Sequence, residues 1–204
     1  MSYWQDKILP AMIDRGMRND VMAEQRHRAA PYATGRVLEI GMGSGLNLPL
    51  YSPEKVTHIF GLEPSAALRE KANEMLDSTT IPVEFLAAGA ESIPLESRSV
   101  DTVVSSWTLC SIPDVEAGLQ EIRRVLKPDG RFVFLEHGRA PDPAVAAWQH
   151  RLRGISRPLL GCDLSYPMDQ LILEAGFEFP QLETGYLKGP RLISYHYIGQ
   201  AKPI

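Results

Sequence analysis

The chain has 204 residues, of which 44% are hydrophobic and 23% charged, with 16 glycines, 16 prolines and a formal net charge of −4. One domain with a full core fits that length, and the composition excludes disordered, collagen-like and disulfide-scaffold proteins. The mild acidity removes any global electrostatic reason to expect nucleic acid as a partner. Two cysteines, Cys110 and Cys162, are too few for a cystine framework, so a reducing cytoplasm is the default location.

The segment from Tyr3 to Ala30 places Ile8, Leu9, Met12, Ile13, Met17, Val21 and Met22 among charges at helical spacing, with Pro10 and Gly16 expected to break or bend it. It has no continuous apolar stretch of signal-peptide or membrane-spanning length, so residues 1–30 are expected to form a helical lid of the working domain. Its mixed charges favour a lid or docking helix over a membrane-surface segment. Short apolar runs then predict strands at Arg36–Ile40, His58–Leu62, Val83–Ala87, Asp101–Ser105 and Phe132–Leu135. Helices are expected at Ser65–Leu76, capped by Ser65, and at Val115–Leu126, stopped by Lys127–Gly130. Strand and helix alternate, which predicts right-handed βαβ units in a doubly wound α/β sheet. Beyond Glu136 the pattern changes. Helices are expected at Pro141–Ser156 and Met168–Glu174, then a closing hairpin of Phe177–Thr184 and Arg191–Ile198. Residues 136–176 form an insertion suited to substrate contacts. No repeat or linker divides the chain, and the sequence carries no signal for an oligomeric state.

Two local signals carry chemistry. The first is VLEIGMGSG over Val37–Gly45: a strand ends and glycines follow at Gly41, Gly43 and Gly45. Glycine permits positive φ and lets a ligand lie against the backbone. The dinucleotide fingerprint needs a third glycine at position 46, which is Leu46, so a nucleoside without a pyrophosphate is favoured over a nicotinamide cofactor. The second is Glu63, expected at the carboxyl end of strand two, where an acid is placed to accept both ribose hydroxyls.

With these residues the chain resembles the class I S-adenosylmethionine-dependent methyltransferases. The likeness includes Val37–Gly45, Glu63, Ala88–Pro94, Val100–Val104 and Glu121–Phe132, the last similar to the helix-loop-strand signature of the ubiquinone/menaquinone-biosynthesis type. It implies a Rossmann-like seven-stranded sheet, order 3-2-1-4-5-7-6 with strand seven antiparallel, and S-adenosyl-L-methionine as cofactor. It further implies that Glu39, Gly41, Gly43, Gly45 and Asn47 surround the methionine and ribose parts, with Glu63 and Pro64 at the ribose. Gly89 and Ala90 would line the adenine. Many relatives have an aspartate where this chain has Gly89, so backbone groups or Glu91 would have to replace it. Ser106 and Trp107 would close over the methionine end. Thr108–Ile112, Leu135–Gly138, Trp148–Gln149 and Gly161–Leu164 are similar, more narrowly, to a branch that methylates small thiols.

That likeness makes a small molecule, with thiols favoured, the expected acceptor. A phospholipid such as phosphatidylethanolamine, or a quinone, is the alternative, and a cofactor-binding module without turnover is the non-enzyme reading. Methyl transfer from a sulfonium is a direct displacement, which needs alignment and exclusion of water. His137 is the leading base or orienting residue, because it follows strand five at the ligand-binding edge; Asp163 is the second candidate, with a turn or cap role as its alternative. Cys110 and Cys162 read as buried small hydrophobes. Tyr3, Trp4 and Trp148 could form an apolar cover. Arg151, Arg153 and Arg157 could meet a phosphate, although a solvated helix face explains them as well. The histidines at 27, 58, 137, 150 and 196 show no short ligand spacing with one another or with the cysteines, so no metal is expected.

Overall fold

A computed structural model describes residues 8–204. Helices α1 (Leu9–Met17) and α2 (Asp20–Arg26) lead into strand β1 (Gly35–Ile40), followed by β2 (Val56–Leu62), α3 (Ala66–Asn73), β3 (Val83–Leu86) and β4 (Val100–Ser106). The second half holds α4 (Val115–Val125), β5 (Leu126–His137), α5 (Pro143–Leu160), α6 (Met168–Glu174), β6 (Phe177–Tyr186) and β7 (Tyr195–Pro203).

The strands form one sheet in the order β3-β2-β1-β4-β5-β7-β6. Pairings from β3 to β5 are parallel, and β7 runs antiparallel to both neighbours. The expected topology and the lone antiparallel strand are both present. The central strands are apolar on both faces because both are covered. Leu38 and Ile40 face the layer holding α4 and α6, and Val37 faces the layer built by the N-terminal segment and α3. Helix α4 buries Val115, Gly118, Leu119, Ile122 and Val125, a spacing that keeps one face on the sheet.

Several boundaries differ from the sequence reading. The N-terminal helix divides at Arg18–Asn19, where the Asn19 side chain caps α2 by accepting from Met22 N–H, while Pro10 sits harmlessly in the first turn of α1. Lys127–Gly130 does not end a helix in a free turn. It is a bulge inside β5: Val100 pairs with Leu126 and Thr102 with Arg131, so the four residues between protrude. The last strand begins at Tyr195, because Arg191–Ser194 belong to the turn closed by Leu187 N–H on the Ser194 carbonyl.

Among the described residues, no helix is long and apolar enough to cross a membrane. The carboxyl ends of β1, β2, β4 and β5 open at one edge, where the residues singled out by sequence come together.

Candidate functional site

At the end of β1 the chain turns through Gly41, Gly43 and Gly45, whose φ values are +61°, +59° and +77°. Positive φ disfavours a side chain at all three, and two of them also lack the space for one. A Cβ on Gly41 would strike the Thr108 side chain, and one on Gly45 would press on Leu48 and on Ala72 of α3. A Cβ on Gly43 would meet only the Gly41 carbonyl, at 3.8 Å. Gly43 is therefore where the loop leaves room for a ligand against its backbone. Glu63, one residue past β2, bridges to this loop: Oε2 accepts from Gly43 N–H at 3.0 Å and Oε1 from Ser65 N–H at 2.8 Å. Burial pushes its carboxyl above the usual range, against the pull of those two donors. Pro64 stands exposed beside it.

Glu39, near the end of β1, is 3% exposed and accepts from Asn47 Nδ2 and from the Tyr51 hydroxyl, both at 2.8 Å. Burial outweighs these bonds and the nearby Arg26, and pushes its pKa up to about 7. Asn47 Nδ2 also donates to Ser106 Oγ at 3.2 Å, which ties β1 to the end of β4. Trp107 follows with φ +54°, an uncommon conformation for a bulky residue, and its indole Nε1 is buried without a partner. Asn47 Oδ1 is buried and unpartnered as well.

The N-terminal helices reach this edge through residues whose role the sequence did not signal. Asp14 of α1 accepts from Ser44 Oγ in the glycine loop and from Lys71 Nζ of α3 at 2.7 Å. Arg26, at the end of α2, is 6% exposed, with its guanidinium 5.2 Å from the Trp107 ring centroid. Both residues look like ordinary helix-surface charges in sequence, and only the docking of the helices brings them to Ser44, Lys71 and Trp107. Tyr3 and Trp4, expected in an apolar cover, lie outside the described residues.

Past β3, the Glu91 carboxylate occupies the space in front of Gly89: a Cβ there would lie 2.7 Å from Glu91 Oε2. Ala90 is buried next to it. The side chain missing at Gly89 is thus replaced in space by an acid two residues later.

The other half of the edge gathers His137, Cys110 and Cys162. Cys110 lies in a short 3-10 turn after β4, His137 ends β5, and Cys162 follows the left-handed Gly161 that closes α5. His137 Nε2 is 2.8 Å from Cys110 Sγ, and one ligand atom from each residue lies within 4.8 Å of the other two. Nothing in their sequence spacing signals this, since the two cysteines are separated by 52 positions. The interaction with Cys110, helped by His137, pulls the Cys162 thiol down, while Cys110 is pushed well up by the same interaction and by burial. Asp163 is 2% exposed, and its Oδ1 accepts from the Ser165 N–H and hydroxyl. These bonds close the turn that follows Cys162. The Asp163 N–H donates to the Cys110 carbonyl at 2.8 Å and staples the two cysteine segments together.

The remaining expectations for this region divide. Gln149 is 2% exposed and anchors α5 by bonding Ala140 N–H and the Gly138 and Leu192 carbonyls. Trp148 is 53% exposed under the Arg151 guanidinium, so it does not cover the site. Arg157 donates to the Pro113 carbonyl at 2.7 Å, a structural bond rather than a phosphate site.

Residues 38–134 match the methyltransferase domain family. They are a methyltransferase domain. Among curated proteins, this chain is 37% identical to a phosphatidylethanolamine N-methyltransferase of Cereibacter sphaeroides, over 65% of this chain and 66% of that one. It is 28% identical to the thiol S-methyltransferase TMT1A of Homo sapiens, over 90% of this chain and 77% of that one. Against several other curated relatives, the matched stretch spans half of their length or less. Among solved structures, a Haloferax volcanii methyltransferase in complex with a methyltransferase activator shares the fold, with a TM-score of 0.74, 21% identity and coverage of 100% and 98% of the two chains. The residues present fit S-adenosylmethionine. Gly43 leaves backbone room, Glu63 is a buried acid beside it, and Asn47 Oδ1 and Trp107 Nε1 are an unpartnered acceptor and donor.

Proposed function

We propose that the protein transfers the methyl group of S-adenosylmethionine to a small thiol. The observation that carries this reading is how far the likeness to a thiol S-methyltransferase extends. It runs over 90% of the chain, well past the cofactor half, whereas the likeness to the phospholipid enzyme covers 65%. We assign acceptor choice to residues 136–176, and a likeness over 90% of the chain necessarily runs through them.

Bound at this edge, S-adenosylmethionine supplies an electrophilic methyl group on a sulfonium. Glu63, with Pro64 alongside, holds the ribose hydroxyls, and Glu91 with the backbone of Gly89 and Ala90 serves the adenine. The amino-acid end has complementary groups of both signs: Glu39 and Asn47 Oδ1 for the ammonium, Arg26 and Trp107 Nε1 for the carboxylate. Gly41, Gly43 and Gly45 bring the backbone close along its length, and Ser106 shares Asn47. Residues 8–30 act as a lid, pinned by Asp14 on Ser44, that keeps water from the reacting atoms. On the acceptor side, His137 faces the two thiols, and Asp163 is a positioning residue that fixes the turn carrying Cys162.

The test is incubation of the full chain with radiolabelled donor and a panel of small thiols, quinols and phosphatidylethanolamine vesicles. Label is expected in the thioether products. Label in lipid or quinol with none in thioethers would refute the thiol reading, and tight cofactor binding without any transfer would leave a binding module instead.

A further inference from the structure

We propose that Cys110, His137 and Cys162 form a three-ligand site for a zinc-class divalent cation, with an open fourth position that takes the acceptor thiol. The metal site rests on the side-chain arrangement alone; its occupant in the fourth position rests on the thiol reading above.

Three features carry the metal site. First, the ligand atoms already lie within 4.8 Å of one another. Tetrahedral bonds of about 2.3 Å to sulfur and 2.0–2.1 Å to nitrogen place neighbouring ligand atoms roughly 3.5–3.8 Å apart, so small side-chain rotations suffice. Second, the arrangement is held by the backbone independently of any ion. His137 is fixed by pairing with His196 across β5 and β7, and the Asp163 N–H bond to the Cys110 carbonyl fixes one cysteine segment on the other. Third, the donor set is two sulfurs and an imidazole, which selects zinc and other soft or borderline ions over magnesium or calcium.

The number of ligands then decides the use. Structural zinc sites close with four protein ligands, whereas three leave a position for a reactant. Cys110 is buried, while His137 and Cys162 are half-buried, so the cluster presents one accessible side. It sits just beyond Ser106 and Trp107, at the end assigned to the donor's methionine part. Thiols react as thiolates, and a coordinated thiol is deprotonated outright. In that step the S–H bond breaks, the proton leaves to solvent and a metal–sulfur bond forms. No electron is transferred and no other reactant is needed.

The experiment measures metal rather than turnover. Full-length reduced protein, equilibrated with zinc and freed of excess by gel filtration, is expected to retain one zinc per chain by elemental analysis. Cys162→Ser and His137→Ala, at half-buried positions, are expected to lower zinc affinity at least tenfold in competition with a chromophoric chelator while circular dichroism stays native. Reconstitution of the unmutated chain with cobalt provides a readout that does not depend on any variant folding. Its thiolate-to-cobalt absorption should rise by about half when 2-mercaptoethanol adds a third sulfur. Failure of the reduced protein to hold zinc, or zinc retention unchanged in both variants, overturns the site. Zinc bound with a cobalt spectrum indifferent to thiol overturns its acceptor role and leaves the site standing. Methyl transfer to lipid alone would sink the thiol reading without altering the zinc count.

Discussion

Replacing Glu39 with glutamine should remove a pH-dependent loss of stability that the wild-type chain carries. Glu39 is buried to 3% exposure, and burial raises its pKa from 4.5 to about 7 despite bonds from Asn47 and Tyr51. The folded chain therefore holds this proton over a range in which the unfolded chain has released it. Below about pH 4.5 both states are protonated and the contribution is fully present. As pH rises towards 7 and beyond, stability is lost. A difference of about 2.5 units corresponds to about 3 kcal/mol. Glutamine keeps an acceptor for Asn47 and can donate to the Tyr51 hydroxyl, so the variant should match wild type in acid and gain on it as pH rises. In urea unfolding, with a slope of about 1–3 kcal/mol per molar, the midpoint gap should widen by roughly 1–3 M between pH 4.5 and 8.5. A gap that stays constant over that range would show that burial does not control this carboxyl. Saturating S-adenosylhomocysteine should flatten the wild-type decline, because an ammonium beside Glu39 draws its pKa back down.

Three further outcomes follow from the same edge. Glu63→Ala should weaken S-adenosylhomocysteine binding about 100-fold in calorimetry, since two charge-assisted hydrogen bonds at ~1.5 kcal/mol each are lost, and unchanged affinity would remove Glu63 from the ribose. Glu91→Ala should raise the dissociation constant about tenfold with no shift in melting temperature; an unmoved constant would mean that Gly89 is compensated by backbone alone. Asp14→Asn weakens the ties of α1 to buried Ser44 and to partly exposed Lys71, worth about 1 kcal/mol after solvent screening at Lys71, so trypsin should cut at Arg15 and Arg18 several-fold faster. Because, against the push of burial, Lys71, Ser44 and Arg18 hold the Asp14 carboxyl below its usual range, amide hydrogen exchange in wild-type α1 should approach the variant's as pH falls through that lowered pKa.

The cofactor half was legible because each of its parts is local in sequence. A strand, a glycine turn and an acid at the next strand end are separated by the few residues that a βα unit requires, and the required φ values of Gly41, Gly43 and Gly45 write themselves as glycine. The bulge in β5 was not legible, since Lys127–Gly130 has the composition of a free turn and only pairing with β4 draws it into the strand. Arg26 and Asp14 escaped for a related reason. A charge on an amphipathic helix reads as solvated until tertiary contacts bury it, and those contacts lie with Trp107, Ser44 and Lys71, far along the chain.

The convergence of Cys110, His137 and Cys162 is the strongest case of this limit, and it explains why acceptor chemistry is harder to read than cofactor class. A cofactor shared by many enzymes is bound by the first βα units, whose geometry fixes which residue must stand where. The proposed acceptor side is built from the ends of β4, β5 and α5, which come together only after the sheet has closed and β7 has seated beside β5. Sequence spacing therefore argued against any metal, whereas the closed sheet places two sulfurs and an imidazole within 4.8 Å. Zinc retention by the reduced chain, together with a cobalt spectrum that responds to added thiol, would make acceptor activation a property of the sheet's switch region rather than of any single catalytic side chain. Its absence would return His137 to the role of base or orienting group, with Cys110 Sγ 2.8 Å from its Nε2.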